Sequence, residues 1–201
     1  MTNPVFDRYL TRAEEKQLFK TVRQDSSPMA ERDINWMVLM RQTGIRVTPM
    51  SKLTVGDAQS ALLTDHLVIR AITNKRKKAH SIFLTKPARQ AIENLILLRR
   101  RQGYVNDLDE PLVMSKKRQG LSVRSYQSLM KRWAKRAGIS SDVSPHTFRH
   151  TLAKRVVETS THKEPLLVAQ RALGHSSIKT TAIYAKPDKE QMQLDLARAA
   201  R

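Results

Sequence analysis

Cysteine is absent from this 201-residue chain. Disulfides, Cys-based zinc sites and thiol nucleophiles are therefore excluded. Aromatic side chains are scarce, with two Trp, four Tyr and four Phe making up 5% of the sequence. That is too few for a sheet that reads single strands by stacking their bases. No apolar run approaches the roughly 20 residues that a membrane span needs, so an integral membrane protein is not expected. Met1 to Arg12 has no apolar stretch of the kind a secretory signal carries. Acid is also in short supply: 18 Asp+Glu stand against 37 Lys+Arg, a formal net charge of +19. Such a surplus calls for a polyanionic partner, nucleic acid ahead of an anionic membrane surface. Double-stranded DNA held through its phosphates fits best. A hydrophobic share of 40% excludes wholesale disorder, and the length suits one domain, with room for a small appendage.

The periodicities predict a mostly α-helical α+β fold with one small antiparallel sheet. Thr11 to Glu14 reads as a capping box opening a helix through about Gln24. After a turn at Asp25 to Met29, a second helix runs to about Gln42, and Gly44 stops it. Thr48-Pro49 reads as a cap with Pro at the first position of a short helix that ends before Gly56-Asp57. His66 to Ile72 and His80 to Leu84 are strand-like, with Asn74 to Lys78 as a basic hairpin tip. Leu53 to Leu63 is a candidate for a further strand. Helices follow at Pro87 to Gln102, Ser122 to Ala137, Ser144 to about Thr159, Pro165 to Gly174, Ser177 to Tyr184 and Pro187 to Ala200.

Four features carry candidate chemistry. Pro145-His146-Thr147-Phe148-Arg149-His150 opens a helix, so His146 and Arg149 share a face near its N-terminus, a place suited to a phosphate. His146 and His150 also have the i, i+4 spacing of a metal pair. The expected Glu between them is missing, and Arg149 repels a cation. Leu173-Gly174-His175 lets Gly174 end a helix in a left-handed turn from which His175 projects. Tyr184 follows nine residues later. Gly44-Ile45-Arg46 sets an arginine between apolar neighbours just past a helix end, where its planar fork can face a phosphate. Lys75 stands in the basic hairpin tip. Taken singly, each has a plain structural alternative: a capping group, a packed ring or a solvated charge.

The ordered set of Arg, Lys, His-x-x-Arg-His, Leu-Gly-His and Tyr resembles the catalytic domain of the tyrosine recombinase (phage integrase) family, from about Leu10 to Tyr184. The resemblance implies six catalytic positions: Arg46, Lys75, His146, Arg149, His175 and Tyr184. Counting back nine positions from Leu84 favours Lys75 over Lys77 and Lys78. The implied activity is metal-independent site-specific DNA recombination without a cofactor, through a 3′-phosphotyrosyl intermediate. Tyr184 is the implied nucleophile, His146 its proton acceptor, Lys75 the acid for the leaving 5′-oxygen, and Arg46, Arg149 and His175 the groups on the non-bridging oxygens. Two other readings share the scaffold: relaxation of supercoils by a type IB topoisomerase, and DNA binding without catalysis. The Leu-Gly-His box, the short tail after Tyr184 and the six filled positions favour the recombinase.

The resemblance further implies a homotetramer on double-stranded DNA, a monomer when free, no membrane partner, and a cytoplasmic location in a prokaryotic or mobile-element host. The apolar face of Pro187 to Arg201 needs a groove, and in this family such a segment is commonly passed to a neighbouring protomer. Leu10-Thr11 matches the start of the catalytic domain, so residues 1–201 are expected to form a single catalytic domain without a preceding helical one. Two departures from the family pattern stand out. Pro49 occupies the position of a usual acidic residue, so Arg46 must be held by another group. The stretch from Glu158 to Arg171 is slightly longer than usual and lacks a usual Gly.

Overall fold

The computed structural model of the protein describes residues 8–71, 79–139, 142–174, 182, 193 and 196–199. The chain divides into two compact units, Met1–Leu152 and Ala153–Arg201. The first unit opens with α1 (Arg12–Arg23), whose capping box pairs Thr11 with Glu14 as the sequence predicts. Ser27 caps α2 (Pro28–Thr43), with Pro28 at the start, where its missing N–H costs nothing. Gly44 then ends α2 at φ 61°, a left-handed conformation that glycine adopts without the usual steric cost. Helix α2 is buried on most of its circumference, and Trp36, Met37, Leu39 and Met40 are inaccessible to solvent. It is the central element of the core, packed chiefly on α5 (Lys86–Arg101) and also on α1.

The short helix α3 (Val47–Met50) differs from expectation at its start. Arg46, not Thr48, is its cap residue, and Pro49 lies inside the helix, buried. The extended backbone of Arg46 begins the turn directly after Ile45, whose burial ties that point to the core. A second correction concerns residues 53–63. They form helix α4 (Val55–Thr64) and not a strand. Thr54 and Asp57 make a full capping box, and Val55, Ala58 and Ala61 are buried at a spacing of three, a helical period. Gly56, read as a helix stop, sits in the first turn of α4, where its backbone N–H donates to the Leu108 carbonyl at 2.8 Å. Only Thr54 retains strand character, through an isolated bridge to Pro111.

The sheet is a two-stranded antiparallel pair, β1 (His66–Ile69) and β2 (His80–Phe83), with Leu67 opposite Ile82. Leu67, Ile69 and Ile82 point inward, while Val68, Ser81 and Phe83 face out. Next come α5 and then α6 (Val123–Arg136), whose Tyr126 and Trp133 are buried in the core. Asp33 fastens α6 to α2. It is fully buried, accepts hydrogen bonds from the indole nitrogens of Trp36 (3.1 Å) and Trp133 (2.8 Å), and is paired with Arg32 at 2.6 Å. Helix α7 (Pro145–Thr159) carries the chain into the second unit. There α8 (Pro165–Leu173) buries Ala169 and Leu173 and ends at Gly174 in the predicted left-handed turn, φ 61°. Ala182, Gln193 and residues 196–199 are helical. No helix among the described residues is long and apolar enough to cross a membrane.

Candidate active site

Helix α7 carries two candidate site residues, His146 and Arg149, with His150 beside them, and its rotation is set by two anchors. Phe148, fully buried, stacks on Phe19 of α1 with ring centroids 6.1 Å apart. Burying such a ring contributes about 1.5–3 kcal/mol. The Thr151 hydroxyl donates to the Thr147 carbonyl at 2.8 Å and accepts the backbone N–H of Leu10 at 2.9 Å. At the start of the helix, the Thr147 hydroxyl reaches back to accept the Ser144 N–H at 3.0 Å, and Pro145 supplies the first residue. With those contacts fixed, His146, Arg149 and His150 occupy one face at i, i+3 and i+4.

Arg149 is 3% exposed, and its Nη1 donates to the Gly44 carbonyl at 2.6 Å. The glycine that ends α2 thus also orients an arginine 105 residues further along the chain. Two residues after Gly44, Arg46 projects half-buried from the start of α3. The Gly44 carbonyl braces Arg149, while Pro49, at the position where the family pattern has an acidic residue, is buried within α3. The charges of Arg149 and Arg46 both reach His146. Together with burial, the largest cause, and with neighbouring His150, they hold its imidazole down to about 4. His146 is therefore neutral near pH 7, with a ring nitrogen able to accept a proton. His150, 4% exposed, is likewise lowered to about 4 by burial and by Arg149. The two imidazoles meet edge to face, centroids 4.8 Å apart at 74°.

Arg46, His146 and Arg149 are thus brought together as the sequence predicts. Lys75, His175 and Tyr184 lie outside the described residues, as do the hairpin tip 74–78, most of the expected helix at Ser177 to Tyr184 and much of the one at Pro187 to Ala200. Two fixed guanidinium charges beside a pair of histidines favour an anion over a metal cation.

Sequence reasoning missed two features. One is the contact between His146 and His150, whose signal was the i, i+4 spacing set aside as a weak metal pattern. The other is a basic groove of about 850 Å³ along α6 and the turn at 115–121, lined by Lys116, Lys117, Arg124, Arg132 and Arg136 with several serines. Its signal was the recurrence of Lys and Arg along α6.

The profile of the phage integrase family matches residues 8–191, and the chain belongs to that family. Tyrosine recombinase XerC of Haemophilus ducreyi is 32% identical over 165 residues, covering 82% of this chain and 51% of the relative. Tyrosine recombinase XerD of Corynebacterium glutamicum is 30% identical over 159 residues, covering 79% and 49%. The chain spans about half the length of the curated relatives it matches. Among solved structures, the XerA recombinase superposes with a TM-score of 0.75 at 23% identity, covering 96% of this chain and 64% of that one. At that identity the likeness speaks for the fold: the mostly helical, α+β architecture is that of a tyrosine recombinase catalytic domain.

Proposed function

We propose that this chain is a site-specific tyrosine recombinase that cleaves and rejoins double-stranded DNA, with residues 1–201 acting as one catalytic domain. The observation that carries the reading is the convergence of Arg46, Arg149 and a neutral His146 on one spot. Two guanidinium groups suit the non-bridging oxygens of a phosphodiester, whose charge grows in the transition state. Beside them is a base held in the right protonation state.

In the proposed reaction, Tyr184 Oη attacks phosphorus and gives its proton to His146. The bond from phosphorus to the 5′-oxygen breaks, Lys75 protonates that oxygen, and a 3′-phosphotyrosyl enzyme remains. Attack by another strand's 5′-hydroxyl reverses these steps, so phosphodiester bond energy is conserved without ATP. His175 adds a hydrogen bond to a non-bridging oxygen. The protein's own arginines supply the charge stabilisation a divalent cation provides elsewhere. The basic groove along α6 takes neighbouring backbone phosphates. The relatives' names support a recombinase over a topoisomerase. On this reading the chain is a monomer when free, assembles as a tetramer on DNA, and works in the cytoplasm of a prokaryotic host.

The test is incubation with a nicked suicide duplex, whose cleaved end diffuses away and traps the intermediate. The wild-type chain is expected to form a covalent adduct, and Tyr184→Phe to bind duplex nearly as well while forming none. An adduct with the Phe variant contradicts the assigned nucleophile.

A further inference from the structure

Resting on the reading above, we propose that His150 is a positioning residue, holding the His146 imidazole by edge-to-face contact so that its orientation beside the two arginines is set before DNA arrives. The geometry carries the argument. One turn of α7 separates the two residues, so their side chains leave the same face. The centroid separation of 4.8 Å and the angle of 74° are those of a favourable edge-to-face ring pair. His150 is the inner ring, 4% exposed, while His146 is partly exposed. The backbone beneath the inner ring is held, because Phe148 and Thr151 are tied to Phe19 and Leu10, and burial restricts the rotamers of the ring itself. A buried ring behind a partly exposed one restricts the rotamers of the outer ring, and a general base works only within hydrogen-bond reach of its proton.

Among the described residues, Arg149 and Arg46 bear on His146, and Arg149 bears on His150 as well. They favour the neutral form of His146 without fixing where its nitrogens point. His150 supplies that missing constraint. It is a buried, titratable residue that the proposed chemistry does not otherwise use. An aliphatic side chain fills the same volume without the flat edge that meets the His146 ring.

Single-turnover adduct formation at saturating duplex tests this with His150→Leu, which fills the space without a ring, and His150→Phe, which keeps one. His150→Leu is expected to slow adduct formation about tenfold, part of what general-base catalysis supplies, with duplex affinity unchanged. His150→Phe is expected to stay within about threefold of wild type. In a His146→Ala background, adding His150→Leu should cost less than about twofold, because the residue acts through His146. The imidazole resonances of His146 in the free protein should move in the Leu variant and stay near wild type in the Phe variant. Equal losses with and without His146, or a Leu variant as fast as wild type, overturn the proposal. A wild-type chain that forms no adduct contradicts the function instead. The resonances then decide the positioning: unchanged in the Leu variant, they overturn it too.

Discussion

Arg149 has five N–H donors in a rigid fork, and Nη1 is directed at the carbonyl of Gly44. In the proposed function, this hold fixes the guanidinium plane before a phosphate arrives, so that little reorganisation is needed as charge develops. A lysine carries the same charge but one flexible head that cannot serve the carbonyl and a phosphate through one plane. Arg149→Lys should therefore lower the single-turnover cleavage rate by about 10²-fold. Duplex affinity, measured by fluorescence anisotropy, should change little. Equal losses in affinity and rate contradict the assigned role.

The two histidines also tie stability to pH. Both fall from 6.5 to about 4 on folding. Between those values the unfolded chain binds more protons than the folded one, so stability rises with pH across that window. It is complete above about 6.5 and is lost as pH falls toward 4. Urea midpoints taken across the window should drop with acid, and the drop should be shallower in a His146→Gln, His150→Gln protein. A slope unchanged by the two substitutions contradicts the burial of the pair.

At the scale of elements, Tyr126 on α6 is the clearest internal cost. Its ring packs edge to face on Trp36 at 5.0 Å, yet its buried hydroxyl has no hydrogen-bond partner among the described residues. Burial drives its ionisation far above the usual range. A buried hydroxyl without a partner costs about 1–3 kcal/mol. Tyr126→Phe keeps the ring and removes that cost, so the thermal midpoint should rise. A fall in midpoint means the hydroxyl has a role in folding.

Elements with strong local signals were legible from sequence. The capping box at Thr11 and the glycine stops at 44 and 174 stand where the sequence places them, whereas α2 starts earlier than expected, with Ser27 and Pro28 opening the helix inside the stretch read as a turn. Helix α4 was misread because Leu53, Val55, Leu62 and Leu63 resemble an apolar strand. The capping pair Thr54 and Asp57, which decides the matter, was overlooked. Arg99, Arg100 and Arg101 look alike in sequence, yet Arg99 alone of the three is buried. Its fork donates to Asn106 Oδ1 and to the carbonyls of Val105 and Pro111, pinning the loop after α5. No local pattern distinguishes it, because its partners are supplied by a loop that tertiary packing places. In the site, Arg46, His146 and Arg149 were legible as ordered motifs. The Gly44 brace and the His146–His150 contact depend on distances that only the fold sets.

For the whole molecule, the proposed function makes the excess of 19 positive charges govern the encounter with DNA. On that reading, several phosphate contacts through the groove of α6 release counterions, so log affinity should fall steeply and linearly with log salt. Arg132, exposed and lining that groove, should on replacement by Ala reduce the slope by about one and weaken unrelated duplexes alike. A loss confined to one sequence assigns Arg132 to base readout instead.

In the proposed function, the arginines and His146 serve a tyrosine nucleophile on a phosphodiester. That role is tested most directly by digesting the trapped covalent complex with protease and nuclease and locating the modified residue by mass spectrometry. The account predicts one peptide carrying a 3′-linked nucleotide on Tyr184, with its yield strongly reduced in Arg149→Lys. A nucleotide on any other side chain, or linkage through a 5′-phosphate, contradicts it.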